Sequence, residues 1–269
     1  MKIAVIVRVY NRLADLEICL DLIRKTWNRH LYYVIITANG SSDGYKISPS
    51  IRQQADVCTE IIDNSGHLSG NAELIKHGIK SIPSDCKYTV LLEADTWIYS
   101  DAIVDKYINS LSEAEAVWCS SEWIEKYYSL GLDFAIAESD YLVRNLPMFD
   151  FHSHAESFVC NYLLTNKQKF ILLKEAMPVH IPKIMRYLYN PSGGRLRFFT
   201  RIPMVTHHIE NLAEGIETKK GIANAVFQKN FFKDLEKYTF FSYCKFLIIE
   251  VLAKTFPRSA WFKKKKVRK

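Results

Sequence analysis

The tripeptide Glu93-Ala94-Asp95 closes an apolar run, Tyr88 to Leu92, and is followed by Thr96-Trp97. On an extended chain residues i and i+2 lie on the same side, so both carboxylates can face one ligand. Two hard oxygen donors beside a crevice suit Mg²⁺ or Mn²⁺, with a diphosphate completing the octahedral shell. The same two acids could equally cap a helix or sit solvated at a strand end, and the tripeptide alone leaves both readings open. Two more polar clusters stand at the ends of strand-like runs: Tyr10-Asn11 and the segment from Asn39 to Asp43. Ser192-Gly193-Gly194-Arg195 lacks the Gly-x-x-x-x-Gly-Lys-Ser/Thr spacing of a phosphate loop and reads as a surface loop.

The elements that must position these groups follow from periodicity. Residues 3–9 are a β-branched run, expected of a strand covered on both faces. Asn11 is placed to cap a helix running to about Lys25, whose Leu13, Leu16, Leu20 and Ile23 share one face. Strands are predicted from Tyr32 to Thr37, ending in Ala-Asn-Gly-Ser-Ser-Asp-Gly, around Val57–Ile62, from Tyr88 to Leu92 and from Ala116 to Ser120. Helices are predicted at Ser69–Ile82, stopped by Pro83, and near Ser100–Leu111. This alternation argues for an α/β fold with a mostly parallel sheet and helices on both faces. Ligands of such sheets bind outside the carboxyl ends of the strands, where all three polar clusters fall. The second half is less regular: a strand at Phe134–Ala137, a turn or short helix over Glu138–Leu146, a helix at Ser153–Leu164 and a last strand at Ile202–Thr206 leading into His207-His208. Leu212 onward reads as helical, and Phe240–Phe256 is strongly apolar.

Composition narrows the function classes. The 269 residues carry 36 Lys+Arg against 29 Asp+Glu, a net charge of +7. Residues 258–269 hold seven positive charges and no acid, which leaves 29 bases and 29 acids in the rest. A nucleic-acid-binding domain spreads its excess charge over a folded face; this chain has no excess there, so nucleic acid is not expected as a partner. The six cysteines, Cys19, Cys58, Cys86, Cys119, Cys160 and Cys244, form no CxxC pair and read as reduced thiols. The apolar run before Arg8 is shorter than the roughly 7–15 residues of a signal core, and no uncharged stretch approaches the ~20 residues of a membrane span. A cytoplasmic protein is expected, touching membrane only from its cytoplasmic face.

Four pieces in order carry a resemblance: Val-Arg-Val-Tyr-Asn-Arg, Ile-Thr-Ala-Asn-Gly-Ser-Ser-Asp-Gly, Asn64-Ser65-Gly66 with Gly70-Asn71, and Leu-Leu-Glu-Ala-Asp. Over residues 2–112 the chain resembles the nucleotide-sugar half of GT-A glycosyltransferases, most of all the inverting family 2. The resemblance implies a GT-A domain over 1–235, with a nucleotide-sugar half at 1–112 and an acceptor half at 113–235, and a C-terminal helical extension with a basic tail at 236–269. It implies a nucleoside diphosphate sugar, UDP-linked, as donor, and a glycan hydroxyl as acceptor; docking on a membrane would also suit a lipid-linked glycan. Val9, Tyr10 and Asn11 would meet the nucleoside. Asn39 stands where the family has an Asp on the uracil ring, and its amide, both donor and acceptor, leaves the base open. Asp43 would shape its turn through backbone N–H groups or contact donor. Asn71 would contact the sugar or cap its helix. Glu93, Ala94 and Asp95 would line the diphosphate, with Glu93 replacing the family's first Asp, and Asp95 with Glu93 would hold Mn²⁺ or Mg²⁺.

The resemblance extends through Phe134-Ala-Ile-Ala-Glu-Ser-Asp-Tyr and Ala155-Glu156-Ser-Phe-Val-Cys-Asn-Tyr. There the family places an acid before a helix as general base, a role that falls on Glu156; a helix-terminal Glu favoured by the dipole is the plainer reading. His207 or His208 would stand near the diphosphate and join the metal ligands, and only one of them can, since neighbours on a strand point to opposite sides. His152 and His154 would be structural, solvated or in contact with acceptor, and the loop at Ser192–Arg195 would lie on the acceptor side. Phe240–Phe256 with the tail fits an interfacial helix and polybasic patch on an anionic membrane; a core helix with a solvated tail, or a nucleic-acid arm, are the alternatives. A sugar-1-phosphate nucleotidyltransferase is a rival enzyme class, disfavoured because Tyr-Asn-Arg follows the first strand where a Gly-rich loop would be needed. A non-catalytic membrane-docking or nucleic-acid-binding protein is the other rival.

Overall fold

The structure, a computed structural model, describes residues 1–122, 129–173, 197–198, 205–207 and 216. In chain order its elements are β1 (Lys2–Val9), α1 (Leu13–Thr26), β2 (Leu31–Ala38), α2 (Pro49–Arg52), β3 (Val57–Glu60), α3 (His67–Lys80), β4 (Tyr88–Glu93), β5 (Thr96–Ile98) and α4 (Ala102–Ala114). Then come β6 (Trp118–Glu122), β7 (Leu130–Glu138), α5 (Ser139–Arg144), α6 (Ala155–Thr165), β8 (Phe170–Leu172), β9 (Arg197–Phe198) and β10 (Val205–His207).

Seven strands form one sheet in the order β3-β2-β1-β4-β7-β6-β8. All its pairings are parallel except those of β7, which runs against both β4 and β6. The expected mostly parallel α/β sheet is therefore present, with one reversed strand near its middle. Every residue of β1 from Ile3 to Val9 is buried, Arg8 included, as its mostly apolar run requires. Alternate residues feed two cores. Val5, Val7, Val34, Val90 and Leu92 pack with Leu16, Leu20 and Ile23 of α1 and Ile103 and Leu111 of α4. Ala4, Ile6, Ile35 and Leu91 pack on the other face with Ile75 and Ile79 of α3, Leu142 of α5 and Val159 and Leu163 of α6.

Local differences from the expected elements have physical causes. Asn11 does not cap α1: Arg12 occupies the cap position, and no side chain bonds there. The helix over α3 begins two residues earlier than its apolar pattern, at His67, because Gly66 takes a φ of 89° and turns the chain sharply into it. The chain after Asp95 returns as β5, which joins β10 and β9 in a second, antiparallel sheet. Three residues each are too few for periodicity to reveal β5 or β8. The predicted last strand is displaced to Val205–His207. His208, the loop at 192–195, Cys244, the apolar segment at 240–256 and the tail at 258–269 lie outside the described residues, as does all of the predicted C-terminal helix from 212 except Ile216.

Candidate active site

The carboxyl ends of β1, β2 and β4 bring the three polar clusters to one edge of the sheet. Register fixes this: Val9 pairs with Ala38 on one side, and Arg8 pairs with Glu93 on the other. The strands therefore deliver Tyr10, Asn39 and Ala94 together. The Asn39 N–H donates to the Val9 carbonyl at 3.4 Å, and the Ala94 N–H to the Arg8 carbonyl at 2.9 Å. Gly40 is required at this seam, since a Cβ there would collide with the Tyr10 carbonyl.

On the β2 side, the exposed Tyr10 hydroxyl donates to Asp43 Oδ2 at 3.0 Å, and its ring meets Tyr45 edge-on with centroids 5.4 Å apart. Asp43 thus accepts a phenol, not the backbone N–H groups expected of a turn-shaping acid. That bond pushes the Tyr10 hydroxyl above its ordinary range. Buried Asn39 donates through Nδ2 to Asn64 Oδ1 at 3.2 Å, and the Gly66 N–H donates to the same oxygen at 3.1 Å. Gly70 leaves room for this pair: a Cβ would stand 2.6 Å from Asn64 Oδ1 and 2.7 Å from Asn39 Nδ2. Asn71 is the fifth residue of α3, not a cap, and its Oδ1 accepts from Arg8 Nη1 at 2.6 Å.

On the β4 side, Asp95 is buried and its Oδ2 lies 3.4 Å from Arg12 Nε, while Glu93 Oε1 lies 3.6 Å from Arg8 Nη2. Arg12 also lies 3.8 Å from Asp15. Arg8, only 2% exposed, donates through Nε to the Leu92 carbonyl at 3.3 Å and through Nη2 to the Leu132 carbonyl. Burial pulls its guanidinium down from its ordinary range, and Glu93, Asp133, Asp95 and Glu156, in that order, pull it back up. Glu156 stands in the first turn of α6, entered through His154 at a φ of 48°. Burial pushes its carboxyl up, Glu93 and Asp133 push it further, and its own backbone N–H and His67 counter them. Glu156 therefore feels the charge of Glu93, although 63 positions separate them in the chain.

Arg8, Arg12 and buried Asp133 were not singled out by sequence reasoning. Arg8 carried the one usable signal, a charge inside a strand whose every neighbour is apolar. Asp133, next to Phe134, which pairs with Leu92, is placed only by the reversed strand β7. His152 Nδ1 lies 3.3 Å from Ser69 Oγ, tying α6's entry to α3. The backbone of His207 pairs with Thr96, beside Asp95.

Glu93 ends β4 and Asp95 lies in the turn after it, so the two supply hard carboxylate donors of the kind a divalent ion takes when a diphosphate provides its remaining oxygens. Among the described residues no three His, Cys, Asp or Glu side chains close around a common point.

No family model and no curated protein matches the chain. Among solved structures it is similar to mannosyltransferase PcManGT from Pyrobaculum calidifontis in complex with GDP-Man and Mn²⁺, at 13% identity and a TM-score of 0.48, over 69% of this chain and 59% of that one. It is similar also to residues 1–349 of TarS from S. aureus, at 14% identity and 0.49, over 65% and 58%. A third is 4-diphosphocytidyl-2C-methyl-D-erythritolsynthase from Anaerococcus prevotii, at 12% identity and 0.43, over 64% and 86%. The chain spans under three fifths of the first two. Every one of these TM-scores is below 0.5.

Proposed function

We propose that the protein is a GT-A-type glycosyltransferase that moves a sugar from a nucleoside diphosphate sugar, UDP-linked, to a hydroxyl of a glycan or lipid-linked glycan. One observation carries the reading: the register of β1, β2 and β4 brings Tyr10, Asn39 and Ala94, with Glu93 and Asp95 on either side of it, to one edge of the sheet. A crevice at the ends of parallel strands, with Glu93 and Asp95 for a diphosphate and the half-buried Glu156 as a further carboxylate, suits group transfer.

In this reading Tyr10, Asn11 and Asn39 line the nucleoside, and Asn71, Glu93 and Asp95 face the diphosphate and sugar. A divalent ion, when bound at Asp95 and Glu93, supplies positive charge against the diphosphate. Arg12 already brings a cation to the same carboxylate. The acceptor oxygen attacks the anomeric carbon, the bond from that carbon to the diphosphate oxygen breaks, and the acceptor proton passes to Glu156. His207 or His208 would complete the metal shell. Residues 258–269 would hold the enzyme on an anionic cytoplasmic membrane surface.

The test is a screen of UDP- and GDP-sugars for Mn²⁺-dependent hydrolysis, with Asp95→Asn beside the wild type. Hydrolysis of one donor, lost in Asp95→Asn, is expected. Absence of binding and hydrolysis for every nucleotide sugar would sink the transferase reading. Wild-type turnover in Asp95→Asn would sink the metal role alone.

A further inference from the structure

Arg8 lies on the same face of β1 as Ala4 and Ile6, the face that α3 covers. A fourteen-residue helix packed there would ordinarily meet an apolar residue at this position. Instead it meets a buried guanidinium whose hydrogen bonds go to three different elements. Nε takes the Leu92 carbonyl of β4, Nη2 the Leu132 carbonyl of β7, and Nη1 the Asn71 side chain of α3. The same Nη2 is 3.6 Å from the Glu93 carboxylate.

A guanidinium donates and never accepts. Whatever Asn71 presents to Nη1 must be its carbonyl oxygen, so the identity of that partner fixes which way round the carboxamide sits. The backbone carbonyls of two sheet strands pin the guanidinium, and the guanidinium pins the amide. The Nδ2 hydrogens are then the end of Asn71 left to serve a ligand.

We propose that Arg8 is a positioning residue which locks Asn71 as a pure hydrogen-bond donor toward an oxygen of the nucleotide sugar. This rests on the function proposed above. The oxygen belongs either to the diphosphate or to a hydroxyl of the sugar, and the chemistry that recognises it is the same.

Asn71→Asp separates this role from a structural one. The aspartate still accepts from Arg8, now as an ion pair, so the fold and melting temperature are expected to hold. It offers the ligand a negative oxygen where the N–H donors were. Calorimetry is run with UDP, UDP-glucose, UDP-N-acetylglucosamine and GDP-mannose on wild type and variant. Binding weaker by roughly tenfold or more is expected. A loss seen with UDP itself assigns the contact to the diphosphate; a loss confined to the UDP-sugars assigns it to a sugar hydroxyl. Affinities equal to wild type throughout would overturn the proposal. A wild type that binds none of the four probes would instead overturn the proposed function beneath it.

Arg8→Lys supplies the second measurement. Its ammonium keeps the charge but cannot hold both strand carbonyls and Asn71 in one fork. Donor affinity is expected to fall, and to fall no further when Asn71→Ala is added, because both changes remove one interaction. Strictly additive losses from Arg8→Lys and Asn71→Ala would show that Arg8 does not act through Asn71 and would overturn the proposal.

Discussion

At the scale of single residues, the site is a cluster of carboxylates built around the buried Arg8 and the half-buried Arg12. Glu156 is the member whose state matters most under the proposed chemistry, because a base must be ionised to take a proton. Burial raises its carboxyl, so the acid limb of the rate–pH profile is expected above the ordinary glutamate value of about 4.3. Glu156→Gln should lose transfer by about 10²–10⁴-fold while still binding donor. The same shift has a stability consequence of definite sign. A carboxyl whose folded value is raised binds its proton more tightly folded than unfolded, so its ionised form disfavours the fold at neutral pH. Glu156→Gln is therefore expected to melt higher than wild type at pH 7, with the difference vanishing below the ordinary glutamate value. A variant that melts lower at pH 7 and keeps full transfer would contradict both halves. Paired melting curves and initial rates across pH decide it.

At the scale of elements, α3 is the part that joins the apolar frame to the chemistry. Its second half packs Ile75 and Ile79 on the sheet, and its first turns carry Gly70 and Asn71. Gly78 lets the helix sit close: a Cβ there would lie 2.5 Å from Ile6 Cγ2, inside any tolerable contact. Ile6 is fully buried and cannot move aside. Gly78→Ala would gain about 1 kcal/mol of helix propensity but pay overpacking of about 1–3 kcal/mol. A net loss of up to about 2 kcal/mol is expected in urea denaturation, together with weaker donor binding as α3 lifts Asn71 from Arg8. A stabilised variant would mean that α3 shifts freely on β1. The elements legible in the sequence were those long enough to show a period, such as β1, α1 and α3. The short β5, β8 and β9 were not, since two or three residues carry no periodicity and their pairing partners lie far along the chain.

For the whole molecule, charge separates into a neutral body and a basic end. The described residues include no helix long and apolar enough to cross a membrane. Seven positive charges in residues 258–269 are worth about 1 kcal/mol each near an anionic surface, less as salt rises. Deleting 258–269 is expected to abolish co-sedimentation with vesicles rich in phosphatidylserine and leave donor hydrolysis unchanged. Vesicle binding that survives the deletion would remove the tail from the account.

The sequence alone determined the α/β layout and the residues on the crevice edge, because a run rich in β-branched residues must be covered on both faces and its polar ends must emerge together. Tyr10, Asn39 and the Glu93–Asp95 pair were readable for that reason. Only tertiary structure decided their partners. Asn11 and Asn71 looked like caps and are not, because the helices begin elsewhere. Arg8 looked like an interruption in a strand, and the carbonyls of Leu92 and Leu132 make it the centre of the site. Glu156 entered the same field as Glu93 only because the reversed strand β7 folds the second half of the chain back against β4. A hydrogen bond between distant residues leaves no local period, and register across the sheet is what set each of these contacts.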